Sequence, residues 1–91
     1  MRLFGRKKKE PEVQEIDYEI FGGFTIKKTS SGYEITWRSP NLTTLNVKSE
    51  PIIDDDVQTR REGDEIKVLT TACKLKLITK NGDTKAYISK I

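Results

Sequence analysis

Apolar and polar residues alternate with a period of two in several short segments, and glycine, asparagine, serine or proline separates these segments. Isoleucine, valine and threonine are abundant, whereas alanine and leucine are few. β-Branched residues favour strands over helices, and no segment sustains the i, i+3, i+4 spacing of an amphipathic helix. The pattern therefore predicts an all-β domain of about seven antiparallel strands, folded as a small barrel or a compact β-sandwich.

The beginning of the chain differs from the rest. A basic block is followed there by a short acidic stretch that contains a proline. We therefore expect residues 1–12 to form a flexible basic arm and residues 13–91 to form a single all-β domain. The first strand is predicted where apolar residues alternate with acids, and its buried face would carry Ile16, Tyr18 and Ile20.

Loop length determines the register of the first predicted hairpin. If Thr29–Gly32 form a four-residue loop, Ile26 lies opposite Ile35 and Phe24 lies opposite Trp37. A three-residue loop would place a lysine opposite an isoleucine and would divide the apolar residues between two faces. Because one buried face specifies register, the four-residue loop is predicted, and these four apolar residues are expected in the core.

The last hairpin has the clearest turn in the chain. Asn81-Gly82 is the pair most typical of a type I′ turn. That turn sets Leu77 opposite Ala86 and Leu75 opposite Ile88, so all four side chains share one face. The opposite face of the hairpin would carry Lys74, Lys76, Ile78, Lys85, Tyr87 and Ser89.

The centre of the chain is less regular. Residues 42–48 predict a strand with Leu45 and Val47 pointing inward. Residues 49–56 are ambiguous, because they combine a proline with three consecutive aspartates, and neither residue type favours a central strand.

Residues 60–64 predict a turn, and Ile66 and Val68 open the strand that follows it. The stretch Glu-Gly-Asp-Glu-Ile-Lys-Val at residues 62–68 resembles the strand start of many small barrels, SH3-like and oligonucleotide-binding folds among them. The resemblance covers those seven residues and points to no particular family.

The composition narrows the chemistry that the domain can perform. There is no histidine and one cysteine, Cys73, so the chain alone cannot supply a four-ligand zinc site, an intrachain disulfide or a histidine base for a nucleophile. The acidic run Asp54-Asp55-Asp56 lacks the spacing of a calcium loop and is expected to be a solvated loop. We expect Cys73 to be a buried hydrophobe, and we expect no catalytic site, no metal and no cofactor.

The sequence also indicates the cellular location of the protein. No apolar run approaches the roughly 20 residues that cross a membrane, and no secretory signal follows the basic block. A cytoplasmic protein is therefore expected. Lysine and glutamate are frequent, while glutamine and methionine are scarce, a balance that leans toward a thermophilic source.

Charge is distributed unevenly along the sequence. The net charge of +3 and the isoelectric point near 9.0 suggest a basic protein. However, residues 1–9 contain five bases and no acid, so residues 10–91 hold twelve bases and fourteen acids and carry a net charge of −2. The basic character belongs to the arm and not to the domain.

Two basic features predict a nucleic-acid-binding module for DNA or RNA. Bases of the arm could bind phosphates, and the lysines of the last hairpin surround a tyrosine that could stack on a base. The candidate residues are Arg2, Arg6, Lys7, Lys8, Lys9, Lys74, Lys76, Lys85 and Tyr87. The arm could instead be a solubilising end or a protein-docking segment, and an anionic membrane surface is a less favoured partner.

The alternative hypothesis is a protein-interaction module, homodimeric by preference, that uses sheet edges or an apolar strip containing Ile78 and Tyr87. Acidic blocks at residues 10–20 and 50–56 and a basic block at residues 74–91 support this alternative. Such blocks favour pairing of an acidic strand with a basic strand, within one chain or between two. Exposed acidic strands would also repel phosphate, which weakens the nucleic-acid hypothesis.

Overall fold

The computed structural model describes residues 13–91, in which strands are joined by turns and short connections without any helix. The strands in this part of the chain are β1 Val13–Phe21, β2 Phe24–Thr29, β3 Gly32–Arg38, β4 Leu42–Val47, β5 Ile52–Ile53, β6 Thr59–Glu62, β7 Glu65–Val68, β8 Ala72–Lys80 and β9 Asp83–Lys90. The all-β prediction is confirmed. The flexible arm predicted for residues 1–12 lies outside the described residues.

The strands form two sheets. The four-stranded sheet has the order β1-β8-β9-β5, and the five-stranded sheet has the order β4-β3-β2-β7-β6. Each sheet turns one alternating set of side chains toward a shared core, because successive residues of a strand point to opposite sides. The core residues include Ile20, Leu75 and Ile88 from the four-stranded sheet and Ile26, Ile35 and Val68 from the five-stranded sheet.

The register predicted for the first hairpin is confirmed. Ile26 lies opposite Ile35, and both side chains are completely buried. Phe24 and Trp37 are also buried in the core, and the ring of Trp37 meets the ring of Tyr18 edge-on, with centroids 5.3 Å apart. The turn itself is tighter than predicted, because pairing continues to the ends of the expected loop and leaves only two serines unpaired.

The last hairpin also forms as predicted. Asn81 and Gly82 have φ angles of 54° and 75°, and positive φ at both central residues is the requirement of a type I′ turn. Leu77 lies opposite Ala86. Because this turn matches the twist of the two flanking strands, it aligns β8 and β9 along their whole length.

The structure differs from the prediction in the length of one turn, in the direction of one strand pair and in the number of strands. The turn predicted at residues 60–64 is confined to Gly63-Asp64, and β6 occupies the residues before it. The strands are not all antiparallel, because β5 pairs with β9 in parallel. With β5 and β6 included, the described residues form nine strands rather than about seven. Both additional strands are short, and neither carries an alternating apolar pattern that sequence could reveal.

The remaining expectations concern which side chains are buried. Ile66, Val68 and Val47 are buried, and Leu45 packs against the core, as predicted. Ile16 is an exception, with 49% of its surface exposed. Its strand is the edge of the four-stranded sheet, so Ile16 has a neighbouring strand on one side only.

Candidate interaction surface

The β8–β9 hairpin brings together the hairpin residues that the sequence singles out. Lys76 lies opposite Tyr87, and Ile78 lies opposite Lys85. Lys74 occupies the same side of the sheet, two residues before Lys76. We call this side, formed by the outward-pointing residues of β1, β8 and β9, the outer face. The opposite side of the same hairpin is buried in the core.

Strand β1 places acids beside the lysines of β8. Asp17 pairs with Lys76 and Glu19 pairs with Lys74 in the β1–β8 register. The carboxylate Oε1 of Glu15 lies 3.9 Å from Nζ of Lys76. This arrangement is the pairing of acidic and basic strands expected from the charge blocks, and it forms within one chain. The two side chains of the ion pair are 38% and 55% exposed, so solvent screens the pair and it contributes at most about 1 kcal/mol to stability.

The charges of the outer face cancel. Four carboxylates and four ammonium groups point outward from β1, β8 and β9 at alternate positions: Glu15, Asp17, Glu19, Asp83, Lys74, Lys76, Lys80 and Lys85. A phosphate backbone would therefore approach as many negative groups as positive ones. The balance removes the long-range attraction that nucleic-acid-binding surfaces use.

An apolar strip crosses this face. Ile52 is the partner of Tyr87 in the parallel β5–β9 pair, and Ile78 lies diagonally across β8 and β9 from Tyr87. Ile52 is half exposed, and Ile78 and Tyr87 are half-buried. Ile78 and Tyr87 also line a depression of about 560 Å³ at the end of the hairpin. We call Ile52, Tyr87 and Ile78 the apolar strip.

The structure places only some of the residues predicted to bind nucleic acid on one face. Lys74, Lys76, Lys85 and Tyr87 share the outer face. The arm bases Arg2, Arg6, Lys7, Lys8 and Lys9 lie outside the described residues, so their position relative to this face is not described.

No family model, curated protein or solved structure matches this chain.

Cys73, which the sequence predicts to be a buried hydrophobe, is fully buried in β8, and its Sγ lies 3.6 Å from the carbonyl oxygen of Thr70. Burial raises the pKa of the Cys73 thiol, because the apolar surroundings disfavour the thiolate.

The run Asp54–Asp56 follows β5. Among residues 13–91, no group of three potential ligands is positioned to hold a metal ion.

Sequence reasoning missed a second depression, at the opposite end of the molecule from the hairpin turn. About 400 Å³ in volume, it lies beside the β1–β2 connection and is lined by Leu42 and Leu69 together with Arg38 and Lys67. Leu42 is 69% exposed and Leu69 is 44% exposed. One sequence feature indicates this depression. Leu42 does not alternate in step with the inward-pointing Leu45 and Val47 of its strand, so its side chain is expected on the solvent side.

The part of the chain that the structure describes holds no helix able to cross a membrane.

Proposed function

We propose that this chain is a cytoplasmic, non-catalytic binding module that forms a homodimer through the outer face of its four-stranded sheet. The observation that carries the proposal is the composition of this face, where balanced charge surrounds the apolar strip. We further propose that the two sheets pack as a β-sandwich and not as a closed barrel, since each sheet retains two separate edge strands.

The charge pattern favours a protein partner over nucleic acid. Interfaces between proteins combine an apolar centre with a polar, charged rim. The apolar strip provides such a centre, and the charges of β1 and β8 border it on one side. A nucleic-acid interface would instead require a surplus of positive charge, which the outer face lacks.

A second copy of the same chain fits this face because the face is self-complementary. In a twofold interface the same patch is used by both subunits. The acids of β1 and the lysines of β8 form adjacent columns of opposite sign. A twofold-related copy can therefore bring the two apolar strips together, and equal numbers of acids and lysines then border the contact.

The dimer is tested by replacing the apolar strip. We expect the wild-type chain to have the mass of a dimer in sedimentation equilibrium at about 100 μM. The double variant Ile78→Thr/Tyr87→Thr keeps strand propensity and loses apolar contact area. It should weaken the dimer at least tenfold, because each lost side chain contributes more than about 1 kcal/mol of burial.

The matched control is Leu42→Thr/Leu69→Thr, which removes two exposed leucines far from the outer face. It should leave the dimer intact, and circular dichroism should show that both double variants are folded. A monomeric wild-type chain at every concentration up to about 100 μM would refute the proposal, as would equal weakening in both double variants.

The arm supports a second candidate function. Its five bases and its apolar residues Leu3 and Phe4 have the composition of a segment that binds phosphates without sequence specificity. In this case the domain would still act as a protein-interaction module, and the arm alone would provide affinity for DNA or RNA.

A further inference from the structure

Within residues 13–91, strand β1 has a neighbouring strand on one side of its backbone only. It is the longest of the edge strands in the described residues and extends over nine residues, from Val13 to Phe21. All nine pair with β8 in one uninterrupted register, so the strand contains no bulge. It also lacks the proline and lysine residues that commonly block strand addition at an edge. A regular, unblocked edge of this kind can accept a further strand.

The side chains of β1 determine what that further strand must carry. On the outer face, β1 presents Glu15, Asp17 and Glu19 at alternate positions. Cross-strand neighbours of opposite charge stabilise a sheet, whereas like charges directly opposite destabilise it. A second copy of β1 would bring acids against acids in an antiparallel pair, so self-pairing through this edge is disfavoured.

The partner that β1 already has shows the pattern that fits. Strand β8 offers Lys74 and Lys76 opposite Glu19 and Asp17, and it offers Leu75 and Leu77 on the core side. This Lys-Leu-Lys-Leu alternation satisfies both faces of β1 at once. The free edge of β1 presents the same side chains as the edge that β8 covers, and Ile16, half exposed, is available to an apolar neighbour.

We propose that the free edge of β1 binds an extended peptide segment of another protein in which lysine or arginine alternates with apolar residues. Backbone hydrogen bonds to the free edge give the affinity, and the acids of β1 select a basic strand. This inference goes beyond the proposed dimer and does not depend on it, because the peptide binds the backbone edge of β1, whereas the dimer contact is centred on the apolar strip of β5, β9 and β8.

The test uses a fluorescent peptide, Ser-Lys-Val-Lys-Val-Lys-Ser, in anisotropy titrations with the full chain. A peptide of identical composition, Ser-Val-Lys-Lys-Lys-Val-Ser, has the same charge without the alternation. We expect micromolar binding of the alternating peptide and at least tenfold weaker binding of the rearranged one. In ¹H–¹⁵N spectra the alternating peptide should shift the amides of β1 more than those of the other edge strands.

Two charge variants connect binding to β1. The double variant Glu15→Gln/Asp17→Asn should weaken binding about three- to tenfold, since two favourable cross-strand pairs are lost. The control Glu34→Gln/Glu65→Gln removes the same charge from the five-stranded sheet and should bind as the wild type does. Thermal melting of both variants establishes that they are folded.

Other results would overturn the proposal. Equal binding of the two peptides, or equal weakening in both charge variants, would mean non-specific attraction between opposite charges. Amide shifts centred on another strand would place the peptide elsewhere. Binding that occurs only in the variant Lys7→Ser/Lys8→Ser/Lys9→Ser would mean that the arm of this chain, and not another protein, is the occupant of the edge. Absence of binding in every variant would leave the edge without this role.

Discussion

Replacing Ile35 by alanine is expected to destabilise the domain by about 2–5 kcal/mol. Ile35 is completely buried on β3 of the five-stranded sheet, where Ile26 lies opposite it on one side and Leu45 on the other. The truncation removes buried apolar surface and leaves a cavity that neighbouring strands of a hydrogen-bonded sheet cannot close. For a domain of this size, such a loss is a large fraction of the total stability.

Urea unfolding monitored by Trp37 fluorescence measures the change. Ile35→Val removes a single methylene and should cost about 0.5–1.5 kcal/mol, so it remains measurable if the alanine variant does not fold. Leu42→Ala is the surface control, because Leu42 is 69% exposed. We expect it to change stability by less than about 0.5 kcal/mol. Similar losses for Ile35→Ala and Leu42→Ala would contradict the position of the core.

Gly32→Ala is expected to cost about 3 kcal/mol or more, from two causes that act together. Gly32 has a φ of 145°, which L-residues with a side chain rarely adopt. In addition, a Cβ at Gly32 would overlap the carbonyl oxygen of Val47 and lie 2.9 Å from the Cα of Lys48. Both atoms belong to the backbone, so no side-chain rotation can relieve the contact.

The variant Gly63→Ala separates the cost of a positive φ from the cost of steric overlap. Gly63 has a φ of 60°, but a Cβ there meets no atom within 4 Å. Its cost should be that of the backbone conformation alone, about 1 kcal/mol. Urea unfolding of both variants provides the comparison. If Gly32→Ala were no more destabilising than Gly63→Ala, the close approach of β3 to the end of β4 would be wrong.

The two hairpins could be predicted from the sequence because their contacts are local. In the last hairpin, Asn81-Gly82 defines the turn, and the alternation of β8 and β9 then permits one register. In the first hairpin no such turn signal exists, yet the requirement that Ile26 and Ile35 share a face leads to the same result. Side-chain burial on these strands follows from the register.

Pairing between distant segments could not be predicted in this way. The parallel pair of β5 with β9 involves two residues, Ile52 and Ile53, and a two-residue strand has no periodicity to detect. Strand β6 carries two arginines and a glutamate and has no apolar alternation that would indicate a strand. It becomes a strand because it pairs with the edge of β7. Ile16 follows the alternation of its strand, but its edge position leaves it exposed.

The sequence predicts which hairpin residues share the outer face, but it does not predict the net charge of that face. The hairpin register places Lys74, Lys76, Ile78, Lys85 and Tyr87 on one face. Three of the four acids that neutralise this face come from β1, more than fifty residues earlier in the sequence. Their location depends on strand order, which the sequence leaves open, although the charge blocks indicate that an acidic strand and a basic strand would pair.

The proposed dimer requires the outer face to be a protein-binding surface and not a phosphate-binding surface. The most direct test is a fluorescence titration of duplex DNA and single-stranded RNA at about 50 and about 200 mM salt. Two folded variants that each lose three positive charges are compared with the wild type: Lys74→Gln/Lys76→Gln/Lys85→Gln on the outer face and Lys7→Gln/Lys8→Gln/Lys9→Gln in the arm.

We expect the outer-face variant to bind nucleic acid as the wild type does, with the same dependence on salt. Any affinity that the wild type has should be lost in the arm variant, because residues 1–9 hold five bases and no acid, whereas the lysines of the outer face are balanced by acids. A phosphate-binding outer face would be indicated instead if the outer-face variant lost affinity and showed a shallower salt dependence, while the arm variant kept the affinity and the salt dependence of the wild type.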